Sequence, residues 1–347
     1  MSQAADAIRE RRREYYTRIS QQHLSPLWEV LSVLVPKQPQ PTCVPAFWKY
    51  DDLRPSLMEA GELITAHEAT RRVLILENPA YRGQSRVTNT LYAGLQLLKP
   101  GEVAPAHRHT QSALRFVLEG RGAFTAVDGE RHYMSPGDLV LTPSWTWHDH
   151  GGTESQEPVV WLDGLDIPLV QMLDAGFAED LPTEQQPIAR PEGDSLMRYG
   201  ANMLPVDYHS RPHTSPVFAY PYERTREALY NLSRSGDPHP CHGYKMRYIN
   251  PVTGGHAMPT IATFMQLLPK DFRGRPYRST DATVFVGFEG YGRTVVGDRT
   301  FEWGPRDIFV VPSWTACRHE TQEEAVLFSF SDRVVQEQLG LWRESCE

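Results

Sequence analysis

Leu118-Glu119-Gly120-Arg121-Gly122 returns 170 residues later as Phe288-Glu289-Gly290-Tyr291-Gly292. Leu95-Gln96-Leu97-Leu98 likewise returns as Met265-Gln266-Leu267-Leu268, and Thr142-Pro143-Ser144-Trp145-Thr146 returns as Val311-Pro312-Ser313-Trp314-Thr315 at an offset of 169. Self-similarity over such a distance means one fold built twice. A one-residue deletion in the hairpin near Asp128-Gly129 is expected to account for the change of offset. Around the repeats, short runs of Val, Leu, Ile and Thr are broken at close intervals by Gly and Pro, which number 25 and 28. That texture predicts β-sandwiches or barrels. Along the first repeated strand Leu91, Ala93, Leu95 and Leu97 fall on one face and Tyr92, Gly94 and Gln96 on the other. The apolar face is expected to pack against the second sheet and the mixed face to line a cavity.

With 347 residues the chain is long enough for two cores. A formal charge of −8 leaves no basic surplus for a phosphate backbone, so nucleic acid is excluded as a partner. Cys43, Cys241, Cys317 and Cys346 form no CxxC pair, which argues against a disulfide framework and suits a reducing, cytoplasmic setting. No apolar run approaches the roughly 20 residues of a membrane span, so no membrane partner is expected. The pattern divides into a helical extension with the first strands (1–78), a first barrel (79–166), a linker with helices (167–247), a second barrel (248–335) and a tail (336–347). Helices are expected from Ala4 to about Val35, broken near Ser25-Pro26, then around Pro168 to Phe177 and from Glu223 to Ser233.

The chemistry concentrates in the first half, where His107-Arg108-His109 is followed about forty residues later by Pro136-Gly137-Asp138, Pro143 and His148-Asp149-His150. Histidines at i and i+2 point to the same side of a strand, and a third from a neighbouring strand completes a facial metal site. At the matching places the second half carries Tyr277, Ser279 and Cys317, a poor ligand set, and keeps only His319. The second barrel is expected to be structural.

This pair of histidine motifs resembles the cupin superfamily, and its duplication resembles a bicupin: a mainly β protein of two double-stranded β-helix, jelly-roll-like domains. The usual motif glutamate is absent, since Ala113 and Leu114 occupy its place and Glu119 sits in a turn. Three neutral ligands leave a dication its full charge and open positions for a bidentate anion and dioxygen, which suits non-haem Fe(II). The string His107 to Phe116, together with Arg71-Arg72-Val73-Leu74 and Trp161-Leu162-Asp163-Gly164-Leu165-Asp166, closely resembles the gentisate 1,2-dioxygenases, a family that includes salicylate and 1-hydroxy-2-naphthoate dioxygenases.

The resemblance implies that His107, His109 and His148 bind one Fe(II) per chain and that Arg115 clamps the carboxylate of an aromatic hydroxy acid, beside which O2 is the second substrate. A guanidinium can hold a carboxylate by a bidentate, charge-assisted contact. His150 shares the strand face of His148 and is expected to serve as a donor or proton carrier, while Arg71, Tyr92, Gln96 and Asp163 are expected to line the substrate pocket. The implied reaction is extradiol-type cleavage of gentisate between C1 and C2 to give maleylpyruvate, with salicylate or 1-hydroxy-2-naphthoate cleavage as the alternative. Relatives are commonly homotetramers, so a homo-oligomer is expected. An oxalate-type bicupin would be expected to keep the missing glutamate, and a non-enzymatic ligand-binding bicupin would not need to retain the intact triad of one half.

Overall fold

The computed structural model describes residues 3–152, 157–208 and 214–347. The chain splits into two compact units, Met1–Gln40 and Pro41–Glu347. In the first, α1 (Gln3–Ser20) and α2 (Leu27–Leu34) bracket the break expected at Ser25-Pro26. Trp28 Nε1 donates to the Tyr16 hydroxyl at 2.9 Å, and that hydroxyl donates to Glu29. No residue of α2 is buried.

The second unit is the bicupin. Its first barrel has a six-stranded sheet in the order Ala219–Tyr220, Leu139–Thr142, Ala113–Glu119, Val159–Leu165, Tyr92–Leu98, Val73–Ile75. Facing it is a five-stranded sheet in the order Ala178–Asp180, Val103–His109, His148–Gly151, Phe124–Val127, Glu130–Tyr133. The second barrel repeats the plan with six strands (Ala46–Trp48, Ile308–Val311, Thr283–Glu289, Ala325–Ser331, Ala262–Leu268, Tyr244–Arg247) and five (Arg299–Trp303, Gly292–Val296, Cys317–Glu320, Tyr277–Ser279, Glu344–Cys346). Edge strands thus come from flanking segments: Ala46–Trp48 of the N-terminal stretch pairs with Ile308–Val311, and Glu344–Cys346 of the tail pairs with Tyr277–Ser279. Short edge strands carry little periodic signal of their own, and their hydrogen-bonding partners lie far away in sequence.

The repeated motifs have matching backbone roles. Trp145 and Trp314 both adopt positive φ (61° and 57°). Their amides donate back to His109 and Ser279, at 2.7 and 2.6 Å, so each Pro-Ser-Trp-Thr turn launches the following strand across the barrel mouth. Gly120 (φ 82°) and Gly290 (φ 70°) lie where a Cβ would strike a carbonyl oxygen at 2.3 and 2.4 Å, so both positions require glycine.

Three expectations need correction. Thr125 pairs with His150 and Thr294 with His319, while the turns Asp128-Gly129 and Gly297-Asp298 are equally long. The deletion therefore precedes the hairpin, between Gly122 and Thr125. The apolar face carrying Ala93, Leu95 and Leu97 meets the six-stranded sheet of the other barrel: these residues share one core with Phe116, Val284, Ile308, Phe328 and Phe330. Phe116 stacks on Phe328 with ring centroids 4.1 Å apart. The expectation against disulfides is also overturned: Cys241 and Cys346, 105 residues apart, are joined, the tail strand that pairs Cys346 with Tyr277 bringing together cysteines that no local spacing links. Among the described residues no helix is long and apolar enough to cross a membrane.

Candidate metal and substrate site

Because the strands Val103–His109 and His148–Gly151 are antiparallel neighbours with His107 opposite His148, three imidazoles meet inside the first barrel. The ligand atoms of His107, His109 and His148 all lie within 4.8 Å of one another. Each Nδ1 faces a nearby carbonyl: Pro105 O at 3.2 Å from His107, Gln111 O at 2.8 Å from His109 and Thr146 O at 3.0 Å from His148. Nδ1–H donation to these oxygens fixes the tautomer of His109 and His148 and leaves their Nε2 lone pairs for a metal, whereas His107 Nδ1 also lies 2.6 Å from the donor-only Nη2 of Arg71. His148 Nε2 is buried with no hydrogen-bond partner, the state expected of a ligand atom. Burial pushes His107 down to about 3 and His109 to about 4, and holds His148 well below the usual histidine range. All three are neutral, as ligands must be. The residues fit a three-histidine metal site, and among the described residues no carboxylate joins them. Glu119 points elsewhere, bridging Arg54 at 2.9 Å and Arg306 at 3.3 Å.

Beside the triad the six-stranded sheet presents its mixed face. Register sets Arg115 opposite Asp163 and Asp163 opposite Gly94, with Trp161 opposite Gln96. Arg115 is 3% exposed; its Nη1 donates to Thr142, and its Nε lies 3.6 Å from Asp163 Oδ1 and makes no hydrogen bond. Burial pushes Asp163 up to about 6 although Arg115 opposes the shift, and Trp161 Nε1 donates to it at 3.0 Å. Tyr92 and Gln96 are both buried on this face, and neither side chain makes a hydrogen bond among the described residues. Gly94 keeps that face open, since a Cβ there would lie 2.4 Å from Val73 Cγ1 and 2.9 Å from the Tyr92 hydroxyl.

Arg71 reaches the triad at His107, with Nη2 2.9 Å from Pro105 O and 2.6 Å from His107 Nδ1. His150 is fully buried; its Nδ1 lies 2.9 Å from Thr125 Oγ1, its Nε2 has no partner, and burial holds it neutral. The second barrel repeats this pair as His319 Nδ1 and Thr294 Oγ1 at 2.8 Å, so the contact belongs to the barrel scaffold. Sequence reasoning passed over Trp161, whose ring lies 5.3 Å from that of His150 while its indole N–H orients Asp163. Its period-two spacing from Asp163 was the available signal.

The Cupin domain family profile matches residues 94–165. The chain is 57% identical over 339 residues, 98% of its length and 97% of the relative's, to gentisate 1,2 dioxygenase 1 of Aquipseudomonas alcaligenes. It is 37% identical to a 5-aminosalicylate 1,2-dioxygenase of Comamonas sp, covering 93% of this chain and 87% of the relative. A crystal structure of salicylate 1,2-dioxygenase from Pseudoaminobacter salicylatoxidans with gentisate superposes with a TM-score of 0.91 at 35% identity, covering 96% of this chain and 93% of that one. A duplicated cupin fold with one intact histidine triad, matched end to end by these relatives, places the chain in the gentisate 1,2-dioxygenase family.

Proposed function

We infer that this protein cleaves gentisate between C1 and C2, inserting both atoms of O2 to give maleylpyruvate. The observation that carries the reading is identity of 57% to a gentisate dioxygenase along nearly the whole of both chains. One Fe(II) per chain would be held by the Nε2 atoms of His107, His109 and His148. When bound, it supplies positions for two substrate oxygens and for O2 and conducts electron density from ring to oxygen.

The chain's own groups do the rest. Arg115, buried and with an unused Nε, is suited to receive the substrate carboxylate; Asp163 and Thr142 hold its guanidinium in place. Arg71 adds positive charge beside His107. His150 Nε2, neutral and unpartnered, is suited to hold or pass the proton of a substrate hydroxyl. Tyr92, Gln96 and Asp163 supply the polar face that a second ring hydroxyl requires, and salicylate would leave that face unpaired. The exposed apolar residues of α2, Leu27, Trp28, Leu31, Val33 and Leu34, support self-association, and the homotetramer is the proposed state.

Oxygen consumption by the Fe(II)-loaded protein tests the reading: one O2 per gentisate with formation of a keto diacid is expected. A second reading, salicylate cleavage, is favoured by the match to salicylate dioxygenase and would appear as equal or faster oxygen uptake with salicylate.

A further inference from the structure

The second barrel lacks the triad, yet its interior is not fully apolar. Register sets Lys245 opposite Gln266, Phe264 opposite Ser329 and Ser329 opposite Phe285, so all five side chains share the inward face. The corresponding places in the first barrel are Val73, Gln96, Gly94, Asp163 and Arg115. Duplication has therefore moved the cation. Phe285 replaces Arg115, Ser329 replaces the carboxylate that accompanied it, and a lysine appears on the edge strand where the first barrel has Val73.

Lys245 consequently has no close ion pair among the described residues, although the Asp281 carboxylate acts on it from the same cavity. Its ammonium lies 4.7 Å from the Phe264 ring centroid and 5.6 Å from that of Phe285, and it makes no hydrogen bond or ion pair among the described residues. Burial pushes it down to about 8, with Asp281 opposing the shift only in part and Arg333 adding to it. Asp281, Arg278 and Arg333 line the same cavity; Asp281 accepts from Trp342 Nε1 at 3.0 Å, and Arg333 donates to Glu337 at 2.7 Å. Gln266 is fully buried with neither amide atom hydrogen-bonded, and the Ser329 hydroxyl is also buried and unpaired. A cavity of about 30 Å³ opens beside Lys245, His242, Tyr277, Phe285 and Cys317. It has room for one or two water-sized groups.

We propose that the second barrel binds a small monovalent anion, of halide to formate size, paired with the Lys245 ammonium in this cavity. Water could fill the space, but it would leave the Lys245 ammonium without a close anionic partner. An aromatic acid is too large for the cavity, so the site is distinct from the triad site in its ligand.

The test uses the full iron-loaded chain. Crystals soaked in sodium bromide should show an anomalous peak within hydrogen-bonding distance of Lys245 Nζ. In solution, sodium formate should raise the melting temperature saturably, by roughly 2–4 °C. Lys245→Met should lose the saturable response while retaining iron and oxygen uptake with gentisate. Absence of bromide beside Lys245 in the unmodified protein would overturn the proposal, even if Lys245→Met failed to fold. A bromide peak without a saturable response in solution would reduce the site to an adventitious ion only, and an equal formate response in both proteins would also refute it.

Discussion

Arg115 and Asp163 face one another from adjacent strands, Nε 3.6 Å from Oδ1, and neither has another ion-pair partner among the described residues. The pair places a cation whose orientation depends on a carboxylate that burial has pushed up to about 6. Below that pH Asp163 takes up a proton and ceases to hold the guanidinium electrostatically. We predict an acid limb in kcat/KM for gentisate centred near pH 6, with Asp163→Asn flattening that limb and raising KM. A limb unchanged in Asp163→Asn would remove the residue from this role.

The same shift makes a stability prediction of fixed sign. The folded state holds the Asp163 proton up to about 6, whereas an ordinary aspartate releases it near 3.8. The folded state therefore binds more protons between these values, and stability falls as pH rises through that window. Asp163→Asn should weaken this fall, as read by denaturant melts at pH 4 and pH 7.

Arg115→Leu should raise KM by about 30-fold or more, in line with the roughly 2–5 kcal/mol lost when a buried charge-assisted contact is removed. Iron content should not change, since Arg115 supplies no ligand. Arg115→Lys, which keeps a charge beside Asp163 but loses the planar fork, should also raise KM. Normal KM in both variants would exclude carboxylate binding at this position.

How far the sequence could be read is clear at these same residues. The clustering of His107, His109 and His148 was legible because strand parity is local, residues two apart sharing a face whatever the rest of the chain does, whereas Arg115 and Asp163 were singled out only by the family resemblance. The duplication was legible because turns such as Pro-Ser-Trp-Thr impose a rare backbone conformation that few sequences satisfy. What could not be read depends on the third dimension. Leu95 and Leu97 look alike whether they pack against their own barrel or its sister, and nothing near Ala46 announces a partner at Val310. Lys245 escaped notice because a single lysine is ordinarily a surface residue; only its register opposite Gln266 turns it inward.

Packing between the barrels offers a separate test. A Cβ on Gly164 would lie 2.8 Å from the Phe330 ring and 3.0 Å from Leu114 Cγ. Gly164→Ala should destabilise the protein by about 1–3 kcal/mol through overpacking. A melting temperature unchanged from the unmodified protein would contradict the close packing of the two sheets.

Metal content tests the division of labour between the halves. His148→Ala should abolish iron retention, because it removes one of three ligands, whereas Cys317→Ala at the equivalent place should keep about one iron per chain. Two irons per unmodified chain would contradict a single site.

The most direct test is a comparison of kcat/KM for gentisate and salicylate by oxygen uptake with the Fe(II)-loaded protein under air. The site formed by the three histidines, Arg115 and the polar face around Asp163 predicts a higher constant for gentisate, with loss of the aromatic ring as oxygen is consumed. A higher constant for salicylate, or no oxygen uptake with either acid, would contradict it.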